Sequence, residues 1–327
     1  MVGYSFNTEL IQAIAEHRTP LATAVFQLFT LLGEIEGYIL VVAVIYAAFD
    51  KRLAFRLAIL ALVTMSINHV LKTIVANPRP FVVEDSFSQK WAVSEAKAAE
   101  LAAEYSTPSG HAMGGASFYA FLYASVNSRW VKFLAIAALL LTGISRPYLG
   151  VHYVEDILLG WPLGIGLALV ALRFGDRLGG LWFRLSTPKQ VMIIGLVSAI
   201  SIAGSSPFYA TAAHGQPLPF VSYLGLLSGL SVAYPLEIRL VDFEPRSSTV
   251  LGKAMRVALG VSIVTGTLLV LDLLFAAIAT DGSVLGNALR YLRYFAAGFV
   301  GMFVAPYLYV RLGWADAAQQ AVEPDVE

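Results

Sequence analysis

Residues 145–156 read Ser-Arg-Pro-Tyr-Leu-Gly-Val-His-Tyr-Val-Glu-Asp and lie between two long apolar runs. Arg146, His152 and Asp156 are ionisable side chains in a setting where such groups are costly. His152 and Asp156 are four residues apart, so on a helix they share a face, one turn from each other. A carboxylate against an imidazole fixes its tautomer and raises its basicity. The other ring nitrogen is then free to attack an electrophile or take a proton. A polar loop at a membrane surface would carry similar residues; the rest of the chain favours chemistry.

Two more polar clusters accompany this stretch. Residues 72–80 read Lys-Thr-Ile-Val-Ala-Asn-Pro-Arg-Pro. Lys72 is near enough to a helix end to snorkel to a headgroup, and Pro78 and Pro80 stiffen the backbone around Arg79. The second cluster is Thr107-Pro108-Ser109-Gly110-His111, directly ahead of an apolar run. Gly110 permits close backbone approach. Ser109 and the free amides of a helix start form an anion pocket, which His111 enters from the first turn. Lysine and arginine neutralise a dianionic phosphate, arginine bidentately. A neutral histidine attacks phosphorus, and a second, protonated histidine protonates the leaving alkoxide. No Asp/Glu/His group has metal-ligand spacing and the chain has no cysteine. These residues therefore lead us to expect metal-independent phosphoryl transfer at a membrane face, with no metal and no cofactor.

The elements that position these clusters must be membrane helices. Of 327 residues, 57% are hydrophobic and only 13% charged, with a mean hydropathy of +0.70, against roughly 25% charged in a soluble domain. The formal net charge is zero, which gives no reason to expect nucleic acid. The first 19 residues lack a basic segment leading into an apolar run, so no removable signal peptide is expected. About ten spans follow from the rule that about 20 apolar residues cross a bilayer. They are 20–32, 37–49, 53–75, 112–126, 131–144 and 154–172, then, after a basic connector 173–189, 191–207, 220–235, 254–279 and 288–310. Residues 76–109 read as a long polar loop with Glu84, Asp85, Glu95, Glu100 and Glu104. With a cytoplasmic N-terminus, fifteen Lys and Arg, Arg18 among them, fall inside and seven outside, the positive-inside asymmetry. This places loops 76–109 and 145–153 together on the non-cytoplasmic side.

The three clusters, Lys72-x₆-Arg79-Pro80, Pro108-Ser109-Gly110-His111 and Ser145-Arg146-x₅-His152-x₃-Asp156, resemble the three-part signature of the type 2 phosphatidic acid phosphatase superfamily. The resemblance covers about residues 20–175. It implies that His152 is the nucleophile that forms a phosphohistidine, that Asp156 is its partner and that His111 is the acid for the leaving group. Lys72, Arg79, Ser109, Gly110 and Arg146 would cradle the phosphate. The expected fold is an all-α polytopic membrane bundle, with a six-helix phosphatase core in residues 1–180 and an accessory bundle of about four helices in 181–327. The expected partners are a lipid phosphate and the bilayer, with no nucleic acid; a homodimer is compatible with the accessory helices. The cell inner membrane is the expected location.

Alternatives rest on particular residues. The run His111-Ala112-Met113-Gly114 is also similar to the glucose-6-phosphatase version of the second motif, which would mean a soluble substrate, whereas Asp156 fits the lipid phosphatases better. A non-hydrolytic lipid carrier or a phosphotransferase would keep the same pocket. Asp272, inside an apolar run, needs a partner such as Arg293, or else serves transport. His69, one turn before Lys72, reads as an interhelical hydrogen-bonding group or as an edge of the pocket. Gly160-x₃-Gly164 and Gly225-x₃-Gly229 permit close helix packing. Trp91, Tyr105, Tyr148 and Tyr153 read as interfacial aromatics.

Overall fold

The structure is a computed structural model that describes residues 6, 8–83, 91–102, 104–209, 219–246, 248–280 and 283–317. Glu84, Asp85 and Lys90 of the polar loop, and residues 318–327, lie outside the described residues. Every regular element described is helical: α1 (Glu9–Glu16), α2 (Pro20–Leu31), α3 (Ile35–Ala48), α4 (Lys51–Val75), α5 (Pro80–Val83), α6 (Glu95–Ala102), α7 (Gly110–Ser125), α8 (Arg129–Tyr148), α9 (Val154–Arg184), α10 (Thr187–Tyr209), α11 (Pro219–Leu240), α12 (Val250–Ala276), α13 (Val284–Phe299), a π-helical turn (Val300–Val304) and α14 (Ala305–Arg311). The chain divides into two compact units. One holds the residues up to Tyr38 and Val63–Gly175; the other holds Ile39–Leu62 and most residues from Asp176 onward.

The first unit is built around α7, which is buried from Gly110 to Leu122 on almost every side. Its small residues allow neighbours to come close. A Cβ added at Gly160 of α9 would sit 3.0 Å from the Ala112 Cβ, and one at Gly164 would overlap the Met113 carbonyl oxygen. The Gly160-x₃-Gly164 spacing thus brings α9 against α7 within this one chain. Replacing Gly164 by Leu is expected to cost about 1–3 kcal/mol through overpacking, read as a lower midpoint of thermal unfolding in detergent.

The ten expected spans change at α2 and α3, which form one broken span or a re-entrant loop. Among the described residues, five helices are long and apolar enough to cross a membrane, or six if α2 and α3 count as one. Those two, read in sequence as separate crossings, are bent by 60° at a short break. The break is satisfied from outside: Tyr119 Oη donates to the Leu32 carbonyl at 2.8 Å, and Thr142 Oγ1 to the Phe29 carbonyl at 3.4 Å. Such partners are what broken backbone needs at membrane depth. The basic connector is also revised, because α9 continues to Arg184 and α10 begins at Thr187. Hydropathy ended α9 early because its last turns are charged. The 76–109 loop, in turn, contains α5 and α6.

Arg18 belongs with the 145–153 loop rather than opposite it. Its Nε donates to the Tyr148 carbonyl at 2.7 Å, and its guanidinium lies over the Tyr148 ring. Helix α1 packs there through Ile11, in a cluster with Phe81, Ala98, Leu149, Val151 and Tyr153. Tyr148 and Tyr153, expected at a lipid interface, are packed instead on Phe26 and Phe6. Moving Arg18 leaves the charge asymmetry at fourteen against eight.

In the second unit, Gly225 and Gly229 of α11 face the Tyr291 and Phe295 carbonyls of α13, where a Cβ would overlap them. Ser228, Ser198 and Tyr291 share hydrogen bonds. Asp272 forms an ion pair with Arg293. Lys51 bridges the buried Glu237 at 3.2 Å and Asp242 at 2.6 Å. Helix α13, the π-helical turn and α14 run without interruption from Val284 to Arg311.

Candidate active site

All eight residues singled out in sequence lie in the first unit. Helix α4 ends at Val75, and the next residue, Ala76, caps it with a positive φ of 51° and an amide bonded to the Lys72 carbonyl at 2.8 Å. The cap turns the chain so that Asn77 meets the segment ahead of α7. The Ser106 amide donates to the Asn77 carbonyl at 2.7 Å, and Asn77 Nδ2 to Thr107 Oγ1 at 3.0 Å. Asn68 Nδ2 donates to the Pro108 carbonyl at 3.1 Å. Beyond α8, Gly150 adopts φ 79°, which a side chain disfavours, and the Val151 amide returns to the Arg146 carbonyl at 3.2 Å. That turn delivers His152 to the end of α4.

His152 and Asp156 are buried and paired, Nδ1 to Oδ2, at 3.0 Å. Arg79 Nη1 lies 3.0 Å from His152 Nε2. A guanidinium only donates, so Nε2 accepts and Nδ1 carries the proton that Asp156 receives. Asp156 is surrounded by donors. Ser106 Oγ donates to Oδ2 and Thr107 Oγ1 to Oδ1, each at 2.5 Å, and the Tyr153 amide donates to Oδ2 at 3.0 Å. Ser106 Oγ also lies 3.1 Å from His152 Nδ1.

The cations gather around this pair. Arg79 donates to the Val151 and Glu104 carbonyls at 3.0 and 3.2 Å. Lys72 Nζ sits 2.9 Å from Glu104 Oε2, and Arg79 Nη2 is 3.6 Å from the same atom. Arg146 is buried with one long bond, 3.5 Å to Thr30 Oγ1, and its Nε has no partner among the described residues. Ser109 caps α7 by accepting the Ala112 amide at 3.4 Å. A Cβ at Gly110 would come 3.1 Å from Asn68 Oδ1, so only glycine fits easily there. His111 Nε2 is buried without a hydrogen-bond partner among the described residues. It lies within electrostatic reach of His152, Arg146, Lys72 and Arg79. His69 is within reach of Lys72 and Glu104, at the edge of the cluster. No group of three His, Cys, Asp or Glu among the described residues could hold a metal ion.

Two shifted ionisable groups in the loops bear directly on the site. Lys72 first, opposed by burial and helped by Arg79, holds the Glu104 carboxyl well below the usual carboxylate range. Burial, then Arg79, Arg146 and Lys72, push the His152 imidazole well below its usual value. Its resting form is therefore neutral.

Sequence reasoning missed several residues. Ser106 precedes the Thr-Pro-Ser-Gly-His run by one position, and a hydroxyl beside a motif was the available signal. Glu104 read only as loop charge. Thr30 lies in the first apolar run and Glu34 just beyond it, and neither gave a signal.

Fold and site define a class: an all-helical, multi-pass membrane protein with a buried cluster of cations around two imidazoles. The chain belongs to the PAP2 superfamily. Residues 53–179 match the PAP2 superfamily model, and 221–317 match the PAP2 superfamily phosphatase transmembrane extension. It is 35% identical over 83 residues to phosphatidylglycerophosphatase B of Bacillus subtilis, covering 23% of this chain and 41% of that protein. It is 28% identical over 123 residues to undecaprenyl-diphosphatase of Sulfolobus acidocaldarius, covering 38% of this chain and 55% of that one. The chain thus spans about half the length of the curated relatives it matches. Among solved structures, Aquifex aeolicus LpxE aligns with 52% of this chain and 96% of its own, at 22% identity and a TM-score of 0.43. The transmembrane PAP2 type phosphatidylglycerolphosphate phosphatase from Bacillus subtilis aligns with 52% of this chain and 86% of its own, at 27% identity and a TM-score of 0.40.

Proposed function

We propose that this chain is a membrane phosphatase that hydrolyses a lipid phosphate monoester or diphosphate through a phosphohistidine on His152. One observation carries the reading: His152 Nε2 faces a guanidinium while its Nδ1 is held on Asp156. An incoming phosphate takes Arg79, Lys72, Arg146 and the first amides of α7 as partners, and Nε2 is freed toward phosphorus. Nε2 attacks as the bond from phosphorus to the leaving oxygen breaks, and His111 gives that oxygen a proton. Water, deprotonated by His111, then attacks the phosphohistidine. Phosphate leaves and His152 is neutral again. The positive charge comes from the protein's own side chains, so the reaction needs no metal ion. The preferred location is the cell inner membrane, with the site on the non-cytoplasmic side, in keeping with the charge asymmetry.

The test is phosphate release by purified protein from a panel of lipid phosphates in the presence of EDTA. Turnover that survives chelation and is blocked by vanadate, a mimic of the phosphoryl transition state, is the expected result. No release from any lipid, or loss on chelation, would overturn the reading. A pH profile adds a second check. The neutral form of His152 persists below the ordinary histidine value of about 6.5, so the acid limb of kcat/KM is expected below that pH. An acid limb above it would contradict the neutral resting imidazole.

A further inference from the structure

The break between α2 and α3 is fitted onto His111. A Cβ at Gly33 would come 3.0 Å from His111 Cδ2 and would overlap the Thr142 methyl, so glycine lets this backbone approach the imidazole. The next residue, Glu34, places Oε1 4.0 Å from His111 Nε2, the ring nitrogen that has no hydrogen-bond partner among the described residues. Tyr119 and Thr142 hold the backbone just ahead of Gly33, at the Leu32 and Phe29 carbonyls. The other ionisable groups within reach of His111 are Arg146 on α8, Lys72 on α4, Arg79 and His152. All are cations or become cations on protonation, so they oppose a positive charge on His111. Glu34 is the carboxylate that faces it, and it also lies within reach of Arg146.

We infer that Glu34 is a positioning residue for the leaving-group acid: its carboxylate receives the Nε2 proton of His111, keeps the imidazolium form available among four basic neighbours, and leaves Nδ1–H for the departing oxygen. A modest closing of the 4.0 Å gap makes the hydrogen bond. When Nδ1 protonates the leaving alkoxide, His111 becomes neutral with its remaining proton on Nε2, still held by Glu34. That tautomer presents the Nδ1 lone pair to the water of the second step. This assignment rests on the phosphatase reading above and adds a residue that lies outside the three motifs.

General-acid help matters for a poor leaving group and little for a good one. We therefore compare an alkyl lipid phosphate with 4-nitrophenyl phosphate, whose phenolate departs without a proton. Glu34→Gln is expected to slow the alkyl substrate by about 10–100-fold, part of the 10²–10⁴ a general acid supplies, and the aryl substrate by less than about 3-fold. The basic limb of the alkyl pH profile should move down, because His111 then loses its proton more readily. Glu34→Asp should recover part of the alkyl rate. Equal losses on both substrates, or no loss on either, would overturn the assignment; so would an unmoved basic limb. His152→Ala, run alongside, separates the two readings. If it retains the normal rate on both substrates, the phosphohistidine reading fails. If it is inactive while Glu34→Gln shows no selectivity, only the role of Glu34 fails.

Discussion

His152→Ala is expected to lower phosphate release by about 10⁴-fold or more, the scale on which removing a nucleophile acts. Among the described residues, the nearby hydroxyls and the second imidazole are turned to other partners. Ser106 is hydrogen-bonded to Asp156 and His152, and Thr107 to Asp156, while His111 faces Glu34. The variant should still bind phosphate, because Arg79, Lys72 and Arg146 stay in place, so vanadate should continue to protect it thermally. Alkaline-quenched labelling with a ³²P-lipid should mark the wild type with an acid-labile, base-stable phosphate and leave the variant unmarked. A labelled variant, or one with the normal rate, would show that another residue attacks.

Asp156→Asn should cost about 10³–10⁴-fold in kcat, with KM changed far less. The native carboxylate receives four donors: the Ser106 and Thr107 hydroxyls, the Tyr153 amide and His152 Nδ1–H. An amide has one acceptor oxygen, so its NH₂ must face at least one of these donors. If it faces Nδ1, the ring is driven to the other tautomer, with the proton on Nε2. The nucleophilic lone pair is then gone, and Arg79 meets an N–H instead of an acceptor. The same exchange in a serine protease triad costs about 10⁴. Turnover of Asp156→Asn within a few-fold of wild type would mean that the tautomer is not set here.

Local chemistry was largely legible in the chain. Residue types and spacings in three short segments identified the eight residues that the structure gathers in one unit, because helix periodicity and proline- and glycine-bound turns act over a few residues. Helices α4, α9 and α12 could be read as spans, since a long apolar run has few alternatives in a bilayer. The break at Leu32–Glu34 could not. Its backbone is held by local turns and by Tyr119 and Thr142, which lie far along the chain and supply further hydrogen bonds. Its fit against His111 depends on Gly33, one of 27 glycines and unremarkable in sequence.

Composition was thus enough to indicate a multi-pass helical membrane protein, because hydrophobicity is a property of the chain itself, and the three motifs' resemblance to a known signature pointed to the superfamily that the family models match. Tertiary structure decided which polar atoms face one another. It set His152 Nε2 against Arg79, put Ser106 and Thr107 on Asp156, and brought Glu34 to His111. Those are contacts between segments tens of residues apart, made at distances where a shift of one ångström separates a hydrogen bond from none.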